Sequence, residues 1–461
     1  MSIPWNRVKI IATAGPSCSS YKMMKRLILS GLDIVRVNFS HGKHSEHAAV
    51  IRTVRRIESE IKRPIGILAD VPGPKLRIRN LSDNIPVKNG TVFALKTENF
   101  SHREIVGALR VGSAIFLSDG KVKLVVLKAG KNTTICRALN DGEVKNGAGL
   151  NFPDIELPVA PVTKEDYQHI AFAASQGVDF LGLSFIKDAS DVLRVRKFLK
   201  RKKKHMFIIS KIERPLAVKN LGEIVSASDG IMVARGDLGV EMPVENIAVT
   251  QKAIIKICNA AGKPVITATQ MLESMIENPS PTRAEVSDIA NAILDGTDAI
   301  MLSGETAVGK YPVQAVEMMV KTSKIMEGES GFNTKGLCSS TPEAADIVAS
   351  SVSTISQLYG TKAVIIPTVS GSTARRISKY RPFAMIIALT VDKRVLRELT
   401  LSWGVFPVLT EKYKNTQAVL HKVDNFVKKS PLFKKKDKVI IATGSFDKAH
   451  RMSNLIKITE V

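Results

Sequence analysis

Lys211 and Glu213 stand two residues apart at the end of an apolar run, IISKIERP (residues 208–215). Side chains two apart on a strand share one face, so both would point the same way at the strand's end. Other apolar runs close on polar residues in the same manner. RVNFSHG gives Arg36, Asn38 and Ser40, and PIGILAD ends at Asp70. IMVARGDLG gives Asp237, PVITAT ends at Thr269, and DAIMLSGE gives Ser303 and Glu305. Glu213 and Asp237 are two carboxylates on successive runs, hard oxygen ligands of the kind that suit Mg²⁺ or Mn²⁺. A lysine beside such an ion can neutralise charge on a transferring phosphoryl group. The plain alternative is a buried Lys–Glu ion pair that only closes the structure. Arg36, Asp237 and Thr269 in equivalent positions favour the chemical reading.

The elements that must position these residues are short, β-branched and nearly continuously apolar. They run over 8–14, 32–39, 64–70, 178–185, 206–210, 230–234, 264–269 and 298–303, with helical patterns between them. Continuous apolar runs mark parallel strands buried on both faces. Eight βα units predict a closed (β/α)8 TIM barrel, whose chemistry sits at the C-terminal strand ends. The barrel is expected over 1–70 and 156–330. Residues 71–155 differ in texture: TVFALK, SAIFLSDG and KVKLVVLKAGKNTTICRAL are separated by Gly, Asn and Asp turns. They predict a small β-barrel domain inserted after the third strand. Residues 340–461, with AVIIP, FAMIIAL and DKVIIAT, predict a C-terminal α/β domain, and MEGESGFNTKGLCSSTP (326–342) reads as the linker to it.

A 461-residue chain with 44% hydrophobic residues can bury several cores. No apolar run is long enough for a membrane span, and the N-terminus lacks the parts of a secretory signal. Cys18, Cys136, Cys258 and Cys338 form no CxxC pair, so they read as reduced thiols of a cytoplasmic protein. The net charge of +24 favours polyanionic partners, phosphorylated metabolites among them. Its densest runs, KFLKRKKKH (197–205) and KKSPLFKKKDK (428–438), read as solvated surface. With 5% aromatics and no basic–aromatic interleaving, nucleic acid is not the expected partner.

IISKIE, IMVARGDLGVE, KPVITATQMLESMI, PTRAEVSDIANAILDGTDAIMLSGETAVGKYP and RVNFSHG together resemble pyruvate kinase over nearly the whole chain. The resemblance implies transfer of the phosphoryl group of phosphoenolpyruvate to ADP, giving pyruvate and ATP. By its motifs Lys211 would stabilise the transferring group, and Arg36 would grip the phosphate. Glu213 and Asp237 would hold Mg²⁺ or Mn²⁺. The Gly236 backbone and the Thr269 side chain would meet the substrate carboxylate. Thr269 and Ser303, with water, would deliver the proton. Asn38, Ser40, His41 and Arg77 would fall on the nucleotide side. The inserted domain would act as a lid that excludes water, and the family's habit implies a homotetramer. A relative that has lost activity but still binds phosphometabolites or RNA is the competing reading; an intact rim argues against it.

Several segments depart from the family pattern or imitate another. In ADVPGPKLRI (69–78), Lys75 stands where many members carry Glu and require K⁺. Its ammonium would replace that ion, and Val71 removes a hydroxyl neighbour, so K⁺ independence is expected. The alternative leaves Lys75 in solvent and K⁺ on Asn38, Ser40 and Asp70. PVTKEDYQ (161–168) shifts Lys164 by one position from the family's EKD order and puts its nucleotide contact in question. GETAVGKY (304–311) fails the P-loop pattern at Tyr311. In HGKHSEH (41–47), His44 and His47 are expected on an exposed helix start rather than on a metal. IIPTVSGSTARRISKYRP (365–382) makes a strand, turn and helix, with Thr368, Ser370, Gly371, Ser372 and Thr373 as candidate holders of a sugar-phosphate effector, or else an ordinary capped helix. TGSFDKAHRMSN (443–454) lacks glycines common in the family's effector loop, so allostery is open.

Overall fold

The computed structural model describes residues 6–153, 155–156, 158–329, 343–412, 416–444 and 453–461. The apolar runs become eight parallel strands: Lys9–Thr13, Ile34–Asn38, Gly66–Val71, Phe180–Leu183, Phe207–Ile212, Gly230–Ala234, Val265–Ala268 and Ala299–Leu302. All but the second are buried at every residue, as strands with side chains inside the barrel and under its helices must be. Each pairs with its neighbours in chain order, and the first closes on the eighth. Ile11, Leu68, Phe180, Ile209, Met232 and Met301 fill the interior. Short polar caps start the outer helices: Thr163 caps Lys164–Ser175 and Thr282 caps Arg283–Leu294, both as capping boxes.

Between the third and fourth strands the chain builds a separate antiparallel unit with its own core, including Leu95, Phe100, Ile115 and Leu124. Its last strand, Leu150–Asn151, pairs with Ala114–Leu117. The C-terminal sheet holds five strands, four parallel with an antiparallel edge, Ser453–Glu460. The glycine- and serine-rich stretch at 326–342 begins later than its composition suggests. The helix Pro312–Glu329 runs on through 326–329, and 330–342 lies outside the described residues. Among the described residues no helix is long and apolar enough to cross a membrane.

The C-terminal domain grips the base of the barrel through buried charge. Arg381 Nη1 lies 3.0 Å from Asp298 Oδ1, and its Nη2 donates to the Gly296 carbonyl at 2.7 Å. The guanidinium also lies 4.8 Å from the Trp403 ring centroid. Lys9 Nζ, inside the first strand, donates to the Val405 carbonyl at 2.9 Å. Such pairs hold only while both partners stay. Arg381→Leu strands the Asp298 carboxylate, and the expected loss is about 3–5 kcal/mol. Thermal unfolding followed by circular dichroism reads it as a lower midpoint; an unchanged midpoint would refute the grip.

Candidate active site

Five charged residues meet where the barrel strands end. The second and third strands run in register, so Asn38 and Asp70 arrive at one level, with Arg36 two residues below them opposite Leu68. Arg36 Nε and Nη2 reach Asp70 Oδ2 at 2.8 and 2.7 Å, and Arg36 Nη1 donates to the Thr13 hydroxyl at 2.9 Å. Lys211, on the fifth strand, places Nζ 2.8 Å from Glu213 Oε1 and 3.3 Å from Asp70 Oδ1. The same ammonium donates to the Ser184 hydroxyl at 2.8 Å, and that hydroxyl donates to the Val71 carbonyl at 2.8 Å. The Lys211–Glu213 ion pair of the plain alternative is present, then, but as one edge of a larger network.

The electrostatics follow from crowding. Burial opposes the Lys211 charge, but Asp70, Glu213 and Asp237 outweigh it and raise its pKa. Burial also works against the Asp70 carboxylate, yet Lys211 and Arg36 win and hold its pKa below the ordinary value. Asp237 goes the other way: burial, then repulsion from Glu213, pushes it up to about 7. Asp237 and Glu213 therefore compete for one proton. Two carboxyls pressed together, one of them reluctant to ionise, are a fit receptor for a divalent cation, which would replace the proton between them.

Asp237 and Gly236 lie in the first turn of a short helix, Arg235–Glu241, after the sixth strand. Thr269, after the seventh, has a left-handed backbone (φ 70°), and so does Gln270 (φ 53°). The bend brings the Thr269 hydroxyl under the Gly236 N–H, which donates to it at 2.7 Å. A Cβ on Gly236 would sit 3.3 Å from that hydroxyl oxygen, so glycine keeps the approach open. Arg235 locks the bend by donating to the Thr269 carbonyl at 2.8 Å while pairing with Asp288 at 2.6 Å. The Ser303 hydroxyl is buried and has no hydrogen-bond partner among the described residues. Its neighbour Glu305 is structural: it accepts the N–H groups of Leu272 and Ser303.

The remaining candidates scatter more widely. Lys75 Nζ donates to the Ser40 carbonyl at 3.4 Å, and Asn38 Oδ1 accepts the Ser40 N–H at 3.0 Å. His41 is exposed. Arg77 is exposed in the inserted domain, where its guanidinium donates to the Gly147 carbonyl. Lys164 starts a helix whose Asp166, two residues on, is fully buried. His47 corrects the sequence reading: it is buried, its ring 4.3 Å from that of Phe39. His44 is half-buried and hydrogen-bonded to His169, because their helix packs this edge against Phe39 and Phe172. In the C-terminal domain, Thr368 accepts the Gly371 N–H at 2.9 Å, Ser370 and Ser372 hydroxyls lie 3.0 Å apart, and Ser372 and Thr373 open the helix Ser372–Lys379. Of 443–454, residues 445–452 lie outside the described residues.

The comparisons with known proteins agree over the full length. The family model "Pyruvate kinase, barrel domain" matches residues 5–316, and "Pyruvate kinase, alpha/beta domain" matches 345–459. The chain belongs to the pyruvate kinase family. It is 40% identical to the pyruvate kinase of Thermococcus litoralis, over 96% of each chain. It is also 40% identical to that of Staphylococcus saprophyticus, over 98% of this chain and 80% of the relative. The crystal structure of a pyruvate kinase from Cryptosporidium parvum superposes with a TM-score of 0.93 at 33% identity, covering 99% of this chain and 96% of the other. The enzyme is therefore a glycolytic phosphotransferase that makes pyruvate and ATP from phosphoenolpyruvate and ADP.

Sequence reasoning passed over Thr13 and Ser184, which orient Arg36 and Lys211. Both are hydroxyls at C-terminal strand ends, so the rule that found the others would have reached them. The sequence gives Asp70 as a rim residue and as a K⁺ ligand in the alternative reading, but not as the group that anchors Arg36 and Lys211 together. Asp70→Asn frees both cations, and a misplacement of about 1 Å costs about a hundredfold. Steady-state kinetics should show kcat/KM for phosphoenolpyruvate falling by about that factor. A change of less than about threefold would mean that the anchor does not matter.

Proposed function

We propose that this pyruvate kinase works without a monovalent cation, the Lys75 ammonium standing where other members of the family hold K⁺. The observation that carries this reading is the 3.4 Å contact from Lys75 Nζ to the Ser40 carbonyl. Lys75 is half-buried, and the contact ties its ammonium to the segment that follows Asn38. A tethered ammonium is a single positive charge with three donors, and it needs no binding equilibrium to be present.

Around it the chain's own residues divide the work. Arg36 grips the substrate phosphate with the fork that Asp70 and Thr13 hold in place. Lys211 follows the phosphoryl group across, its charge kept on by three carboxyls. The Gly236 N–H and the Thr269 hydroxyl exchange their mutual bond for the substrate carboxylate. Ser303, whose buried hydroxyl lacks a partner among the described residues, and Thr269 lie on the route by which water delivers a proton to the enolate. Glu213 and Asp237 would hold Mg²⁺ or Mn²⁺, which supplies Lewis-acid neutralisation of the phosphoryl oxygens. Asn38, Ser40, His41 and Arg77 face the nucleotide, and the inserted domain covers the mouth as a lid. The turn at Thr368–Thr373 receives a sugar-phosphate effector through hydroxyls and the helix N-terminus. The enzyme acts in the cytoplasm as a homotetramer.

The test is pyruvate formation from phosphoenolpyruvate, ADP and Mg²⁺ in potassium-free Tris buffer, before and after KCl. The expected result is full activity before KCl, with less than about twofold activation after it, because the charge is already in place. In Lys75→Glu the same titration should show activation of about tenfold or more. Strong K⁺ activation of the unaltered enzyme would overturn the reading.

A further inference from the structure

The lid hangs on two connections, and each meets a buried carboxylate that the reaction does not use. Asp166, fully buried, accepts the Gly73 N–H at 3.2 Å on the outgoing connection. Its other oxygen takes the Thr163 N–H and hydroxyl, both at 2.7 Å, on the returning one. The two crossings are thus clipped together at the hinge. Gly73 has φ 69°, and a Cβ there would come within 3.1 Å of the Phe185 ring and the Pro161 carbonyl, so the clip leaves no room for a side chain.

Glu241 is different, because it reaches from the active site into the lid. It is the last residue of the helix whose first turn carries Gly236 and Asp237, and it is only 3% exposed. Its Oε1 accepts the side-chain amide of Asn151 at 2.9 Å, and the Phe152 N–H, next in the chain, helps to hold the carboxyl's pKa down against burial. Asn151 ends the lid's last strand, and Phe152 is part of the lid's core. Arg214, whose charge faces Glu241, stacks on Phe185 with its guanidinium 4.9 Å from the ring centroid. The Phe185 N–H in turn donates to Glu213 Oε2 at 2.7 Å. The helix itself leads from Glu241 to Asp237, while toward Glu213 the link is looser, because the Arg214 charge acts on Glu241 without an ion pair between them among the described residues.

We infer that Glu241 is a positioning residue: it latches the lid to the helix that carries Gly236 and Asp237, so that the lid's angle and the geometry of the mouth are set together. The inference rests on the lid reading above. A short helix with a buried carboxylate at its end cannot shift without dragging Asn151 and Phe152, because an abandoned buried carboxylate is costly. Loosening the latch leaves a gap through which water competes with ADP for the phosphoryl group. The leak is phosphoenolpyruvate plus water giving pyruvate and inorganic phosphate, so pyruvate forms in excess of ATP.

The experiment compares pyruvate with ATP, each measured directly, in the full-length enzyme, in Asn151→Ala and in Glu241→Ala. The unaltered enzyme should yield one ATP per pyruvate. Both variants should form excess pyruvate, and KM for ADP should rise about tenfold, the worth of one hydrogen bond to a charged group. Glu241→Gln keeps an oxygen for the Asn151 amide and should recover part of the coupling. If Glu241→Ala does not fold, Asn151→Ala alone decides, since it removes the same bond from the lid side. Tight coupling with an unchanged KM for ADP in Asn151→Ala would overturn the latch while leaving the enzyme's activity as assigned. Loose coupling in the unaltered enzyme would instead overturn the lid reading, and the latch with it.

Discussion

Three carboxyls and two cations share one barrel mouth, and their imbalance shapes the site. Asp70, Glu213 and Asp237 face Arg36 and Lys211. Fully ionised, the group carries one negative charge too many for a crowded, partly dry place. The structure shows where the strain falls: on Asp237, which burial and Glu213 push toward protonation. A proton relieves the excess, and a divalent cation would relieve it further and leave the mouth attractive to a phosphorylated acid. One balance thus accounts for a lysine that stays charged inside a protein and for a pair of carboxylates left open to metal.

The barrel exists to bring those groups from distant parts of the chain to one level. Parallel register fixes the height of each strand's last side chain, and hydroxyls from Thr13 and Ser184 fix its direction. Left-handed backbone at Thr269 and Gln270 is tolerated because Arg235 holds the bend from behind. Such strain collects at sites where position matters more than stability. The C-terminal domain and the inserted domain attach elsewhere, through Arg381 and Lys9 at the base and through Asp166 and Glu241 at the mouth. Buried charge is the fastening in each case, which makes each attachment specific and intolerant of losing one partner.

Much of this was legible in the residues alone. All eight barrel strands announce themselves, because burial on both faces leaves an unbroken apolar run that little else produces. The polar residues that end them follow from the same pattern. What escaped had no such signature. The C-terminal strand Val405–Leu409 is interrupted by Pro407, which an edge strand accepts and a sequence pattern discounts. His47 is indistinguishable from a solvent-facing histidine until Phe39 is seen beneath it. Glu305 has the type and place of a catalytic carboxylate, yet it serves two backbone N–H groups. The shared anchoring by Asp70, and the bond of Glu241 to the inserted domain, join residues 141 and 90 apart in the chain, and no spacing rule reaches that far.

The central claim is that the Lys211 charge serves the phosphoryl group and not merely its carboxylate neighbours. The direct measurement is Lys211→Met, with Mn²⁺ affinity read by electron paramagnetic resonance and pyruvate formation read beside it. Mn²⁺ should bind within about tenfold of the unaltered enzyme, because Glu213 and Asp237 remain, while the rate falls at least about a thousandfold. Pyruvate formation within about tenfold of the unaltered rate would contradict it and leave Lys211 as a structural ion pair.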